Sequence, residues 1–209
     1  MLQQNLKNFN MKKTLSINLS GMVFNIDDDA YRELQVYLSQ IESHFADVDE
    51  SKEILADIEA RIAELFNERV NDVKQVIVMK DVKEVIEILG RPEEIGGSGD
   101  SSGERKREKF GPSGYKRMYR DPDNRVLGGV CSGMGAYFGI DPIILRIIFV
   151  VAVLGFASGL IIYLILWIVI PEAKTTAQKL EMRGEPVNVS NIGKTVKEEF
   201  NRVKNNMNL

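Results

Sequence analysis

Cysteine and histidine are nearly missing from this 209-residue chain: one of each is present. A single cysteine excludes an intramolecular disulfide framework and any multi-cysteine metal site. A single histidine excludes the HExxH zinc pattern and every two-histidine centre. No catalytic constellation, metal site or cofactor is expected. Disorder along the whole chain is excluded too, because 44% of the residues are apolar and 27% are charged.

Charge is missing from one place in particular. Ile147 to Ile170 is a 24-residue run without a charged side chain. The acid lies elsewhere. Residues 1–99 carry 11 basic and 19 acidic groups, a balance of −8, whereas residues 100–146 balance at +3 and residues 171–209 at +2. The mean hydropathy of −0.14 averages over these unlike parts.

A bilayer core of ~30 Å needs ~20 apolar residues as a helix, so the uncharged run is long enough to span. Tyr163 and Trp167 sit near its C-terminal end, where amphipathic rings favour an interface. Pro142 suits the first turn of a helix and Pro171 stops one. Gly155, Ser158 and Gly159 in the middle admit two forms. One is a single span from about 143 to 170 with small residues against another helix. The other is a bent, re-entrant hairpin. The expected fold class is a mainly α membrane protein: a small α+β N-terminal head, an amphipathic helix plus one transmembrane helix, and a C-terminal amphipathic helix. More basic residues precede the run than follow it, which places the N-terminus on the cytoplasmic side.

Upstream, residues 1–13 read as a floppy extension, with Met11 as an alternative start and no signal-peptide pattern. Residues 14–95 read as an acidic interaction head. Apolar alternation on both sides of Ser20-Gly21 predicts a hairpin or two short strands. Asp27–Asp29 opens a helix whose inner face is Tyr31, Leu34, Leu38, Ile41 and Phe45. A second helix runs from about Ser51 to Val70. After a short extended run, Val76–Met79, Asp81 opens a third helix with Glu84 at the capping-box position, and Gly90 and Pro92 end it. Asp57, Glu64 and Glu68 read as a solvated acidic face, and His44 as structural or exposed. DIEARIAELF (Asp57–Phe66) and DVKEVIEILGRPEEI (Asp81–Ile95) give the head a resemblance to the HAAS-type helical signalling domain of bacterial membrane proteins.

Residues 96–115 read as a flexible basic linker, suited to anionic lipid; with an acidic head beside it, no nucleic-acid partner is expected. From Arg125 to Phe138 an amphipathic helix is expected, rich in glycine, with Gly129 and Gly133 at GxxxG spacing. Asp141 caps the helix that follows. Cys131 reads as a small buried residue. Gly129, Gly133, Gly155 and Gly159 are the helix-packing candidates. Arg120, Arg125, Arg146, Tyr163 and Trp167 are the candidates for the lipid interface. In the polar tail, 174–209, an amphipathic helix over 189–207 lines up Val189, Ile192, Val196, Phe200 and Val203 as a partner-binding stripe. That stripe suits the head, a membrane surface or a second copy.

Residues 116–173 closely resemble the phage shock protein C (PspC) domain. The matching features are Tyr119-Arg120, Asn124-Arg125, Gly129-Val130-Cys131, Gly133, Tyr137 to Pro142, Arg146, Tyr163 to Trp167, and Pro171-Glu172. The resemblance implies a bacterial inner-membrane component of the envelope-stress response. It implies membrane lipids and PspA-like proteins as partners, and no catalysis. A homo-oligomeric scaffold anchored to the membrane, with no sensing role, is the alternative.

Overall fold

The computed structural model describes residues 13–71, 74–91, 116–155 and 158–207. The N-terminal extension up to residue 12 and the linker 96–115 lie outside them.

The head begins with β1 (Thr14–Leu19) and β2 (Met22–Asp27), antiparallel with Leu19 opposite Met22. The two-residue loop places Ser20 and Gly21 at φ 49° and 83°. That double positive φ matches the twist of a tight hairpin, and the Asn18 side chain accepts the Gly21 N–H at 3.0 Å. Two residues, Val76–Ile77, form β3, parallel to β2. Around the sheet lie α1 (Asp28–His44), α2 (Ser51–Arg69) and α3 (Met79–Leu89). Asp28 and Asp29 in the first turn of α1 complement its dipole.

The third helix starts two residues before the position expected. Asp81 is therefore not its cap but its third residue, where its carboxylate accepts the Val78 N–H at 2.9 Å and meets Lys74 Nζ at 2.5 Å. Burial works to raise the Asp81 pKa, but Lys74 and the Val78 amide outweigh it and hold the carboxyl below the usual range. A depressed acid contributes stability above its unfolded pKa and loses it as pH falls through the folded one. Acid unfolding of the wild type should therefore include a step below about pH 4. Asp81→Asn should remove that step in a pH titration of stability.

Ile26, Ile41, Ile54, Ile58, Ile62, Phe66 and Ile77 are fully buried in the head's core. The core is not closed by the head alone. The chain ends in α7 (Thr176–Arg183) and α8 (Val189–Met207), and their Leu180, Val189, Ile192 and Val196 belong to the same buried cluster. Tail and head thus form one unit.

Between them lie α4 (Val130–Phe138), α5 (Pro142–Gly155) and α6 (Ser158–Val169). The glycine-rich helix is shorter than expected: Gly128 and Gly129 sit at φ 60° and 77°, which no right-handed helix accommodates, so residues 126–129 form a bend and a turn and the helix starts at Val130. At its other end Asp141 caps α5 as expected, accepting the Ile143 N–H at 2.8 Å.

The expected transmembrane helix is corrected. Among the described residues no helix is long and apolar enough to cross a membrane. The uncharged run is instead two helices of 14 and 12 residues packed on each other, about 21 and 18 Å long at 1.5 Å per residue. A straight 24-residue helix would separate its ends by about 36 Å. Here both ends return to one loop: Arg146 bonds to the Asn124 carbonyl and the Ile170 carbonyl bonds to Arg120.

Candidate functional site

The α5–α6 hairpin is held shut at its base. Arg120 donates its N–H to the Pro171 carbonyl at 2.8 Å, and its own carbonyl accepts from Ala173 N at 3.0 Å. Its guanidinium is used throughout: Nε donates to Ile170 O at 2.9 Å, Nη1 to Gly128 O at 3.1 Å, and Nη2 lies 3.6 Å from Glu172. It also stacks over Trp167, 5.7 Å from the ring centre. The Asp121-Pro122-Asp123-Asn124 turn is built as its sequence indicates. Asp121 is buried, and its carboxylate accepts the Asp123 N–H at 2.9 Å and the Asn124 Nδ2 at 2.9 Å.

Gly133 lets α4 lie against the backbone of Tyr119 and Arg120 at this base. A Cβ there would sit 1.8 Å from the Tyr119 carbonyl oxygen, a backbone atom with nowhere to move. Gly159 lets the two arms touch, with Ala152 C and Val153 N only 2.7 Å from where its Cβ would be. Gly155 meets nothing within 4 Å, so its expected role in helix contact is not seen.

Below the base, one node joins the three parts of the chain. Arg61 of α2 meets Glu181 of α7 at 2.9 Å; Glu181 is buried and Arg61 nearly so. Tyr119 donates to the same Glu181 at 3.3 Å, and Arg117 pairs with Glu68 at 3.3 Å. Thr176 donates to Asp57, and Gln178 to Glu64 at 3.4 Å. The face read as solvated acid is therefore largely a docking face for the tail. The partners of these carboxylates lie about 50 to 120 positions away in sequence, so no local pattern announces them. Lys179 extends the node, reaching Glu199 at 2.9 Å and Asp123 at 3.0 Å. Burial lowers its pKa, but those two carboxylates prevail and raise it.

Residues 116–173 match the family model of the PspC domain. The chain carries a PspC domain. No curated protein and no solved structure matches.

Within the PspC domain, Tyr163 donates its hydroxyl to the Leu127 carbonyl and stacks edge-on to Phe149, ring centres 5.4 Å apart. Arg146 donates to Asn124 O at 3.0 Å and to Ser132 Oγ at 3.2 Å. Arg125 is exposed, and Trp167 is 45% exposed. Of the five residues read as interfacial, Arg120 has its donors committed inside the chain. Cys131 is buried, and burial raises its thiol pKa against the pull of Arg146. His44 stacks on Phe45 in the head, far in sequence from Cys131. In the tail, Val189, Ile192 and Val196 are buried against the head, whereas Phe200 and Val203 remain exposed. No group of three or more metal-ligating side chains occurs among the described residues.

Proposed function

We propose that this protein is a non-enzymatic regulator or adaptor of the phage-shock type. It dips its α5–α6 hairpin into the bacterial inner membrane from one side, responds to the state of that membrane, and binds protein partners such as a PspA-like membrane-coating protein. The observation that carries the reading is the hairpin surface. Ile147, Val151 and Leu154 on α5 and Ile161, Ile168 and Val169 on α6 are 58–83% exposed. Contiguous apolar surface of this extent marks an interaction site rather than a water-facing exterior. Each arm covers about two-thirds of a ~30 Å hydrocarbon core, so the hairpin dips in and returns. The base then lies at headgroup level, and the head and tail stay together on one side, which the positive-inside pattern makes the cytoplasmic one. The acidic head and the exposed end of α8 are the surfaces left for protein partners, in keeping with the head's HAAS-like pattern.

The test is deletion in the host, with growth and a stress reporter followed while the proton gradient is collapsed. The wild-type chain should restore the response, and a chain with Leu154→Lys and Ile168→Lys should not. An unchanged response on deletion would refute the stress role. The scaffold alternative predicts cross-linking between copies that stays constant with and without membrane stress.

A further inference from the structure

A cleft of about 480 Å³ opens between α5 and α6 and is floored by α4. Its walls are almost wholly apolar; Leu127, Phe149, Val153 and Leu160 are among them. Val150 and Leu154 form part of its rim and are 57% and 83% exposed, so the cleft opens onto the hairpin surface itself. A volume in the range of ~300–1,000 Å³ is that of small-molecule sites.

One charged side chain lines it. Arg146 is half-buried there, and its recorded hydrogen bonds, both from Nη2, go to a carbonyl and a hydroxyl. Among the described residues no carboxylate lies within 4 Å of it, in contrast to Arg120, which has Glu172. The nearby loop has no anion to lend: Asp121 is spent on its own turn and Asp123 on Lys179. Cys131, on the same wall, stays a neutral thiol because burial raises its pKa. A guanidinium in an apolar wall without a counter-charge is costly, and its planar fork suits a bidentate oxyanion. Arg125, exposed next to the cleft-lining Val126, adds positive charge nearby.

We propose that this cleft binds one acyl chain of an anionic phospholipid, with Arg146 holding the phosphate. The ligand must be apolar along most of its length to wet these walls, anionic at one end to meet Arg146, and supplied at the hairpin surface. A bilayer phospholipid satisfies all three conditions. The proposal rests on the membrane reading above and refines it into a stoichiometric site.

The experiment uses the full-length protein with vesicles of phosphatidylcholine alone and of phosphatidylcholine mixed with phosphatidylglycerol. Native mass spectrometry then counts retained lipid. The wild type should sediment with both vesicles, prefer the mixed ones, and retain one phosphatidylglycerol. Arg146→Gln should keep its binding to phosphatidylcholine and lose about fivefold of the preference, the worth of roughly one basic residue at an anionic surface. Arg146→Lys should keep most of the preference. Val150→Trp, which fills the cleft from its exposed rim, should sediment normally but retain no lipid. Equal preference in wild type and Arg146→Gln, or retained lipid in Val150→Trp, would overturn the proposal. Failure of the wild type to sediment with either vesicle would overturn the membrane reading instead.

Discussion

Gly133→Val should unfold the base of the hairpin. The Cβ introduced by the substitution would lie 1.8 Å from the Tyr119 carbonyl oxygen and 3.1 Å from the Arg120 Cα. These are backbone atoms of Tyr119 and of Arg120, which bonds to Pro171 and Ala173, so no side chain can rotate out of the way. Overpacking typically costs ~1–3 kcal/mol, and a clash with main chain falls at the upper end. A loss on the order of 3 kcal/mol corresponds to about 6–12 °C in melting temperature for a chain of this size. Gly133→Ala should show much of the same loss, because the first carbon already collides. Gly155→Ala, with nothing within 4 Å of its Cβ, is the control and should be stable. Equal melting temperatures for Gly133→Ala and Gly155→Ala would remove the base contact from the account.

Ile192→Asp should free the tail and destabilise the head with it. Ile192 is fully buried in the cluster it shares with α2. Cutting such a side chain back to alanine costs ~2–5 kcal/mol, and an unpaired buried carboxylate adds to that. Val203→Asp, on the same stripe but 56% exposed, should change stability by no more than about 0.5 kcal/mol. Denaturant unfolding of the two variants decides the point. Similar curves would mean that the tail is an attachment and not part of the core.

The head was legible because its signals are local. The Ser20-Gly21 hairpin, the acidic first turn of α1 and the helical spacing of Leu34 and Ile41 each lie within a few residues of what they determine. The offset at α3 has the same origin: Asp81 and Glu84 repeat the capping spacing, and only the extended backbone at Val78 selects Asp81 as the third residue. The uncharged run was legible as apolar, and Gly155, Ser158 and Gly159 marked where it could bend, but nothing local chose the bent form over the single span. Straight and folded forms have the same composition, and the choice between them is made by Arg120 and Ile170, 50 positions apart. Arg120 itself read as a headgroup ligand because its sequence neighbourhood is basic. Its partners, Gly128 O, Ile170 O and Glu172, come together only once the hairpin closes. The acidic face of α2 failed in the same way, since Thr176 and Gln178 reach it from the far end of the chain.

The central claim is that the chain dips and returns, leaving head and tail on one side of the membrane. Its most direct test is labelling with a membrane-impermeant thiol reagent in a Cys131→Ser background, with single cysteines at the exposed positions Gln35 of α1 and Glu198 of α8. The account predicts that both cysteines react from the cytoplasmic face of inside-out vesicles and that neither reacts in intact spheroplasts. Labelling of one from each side would contradict it, because head and tail could not then share a core.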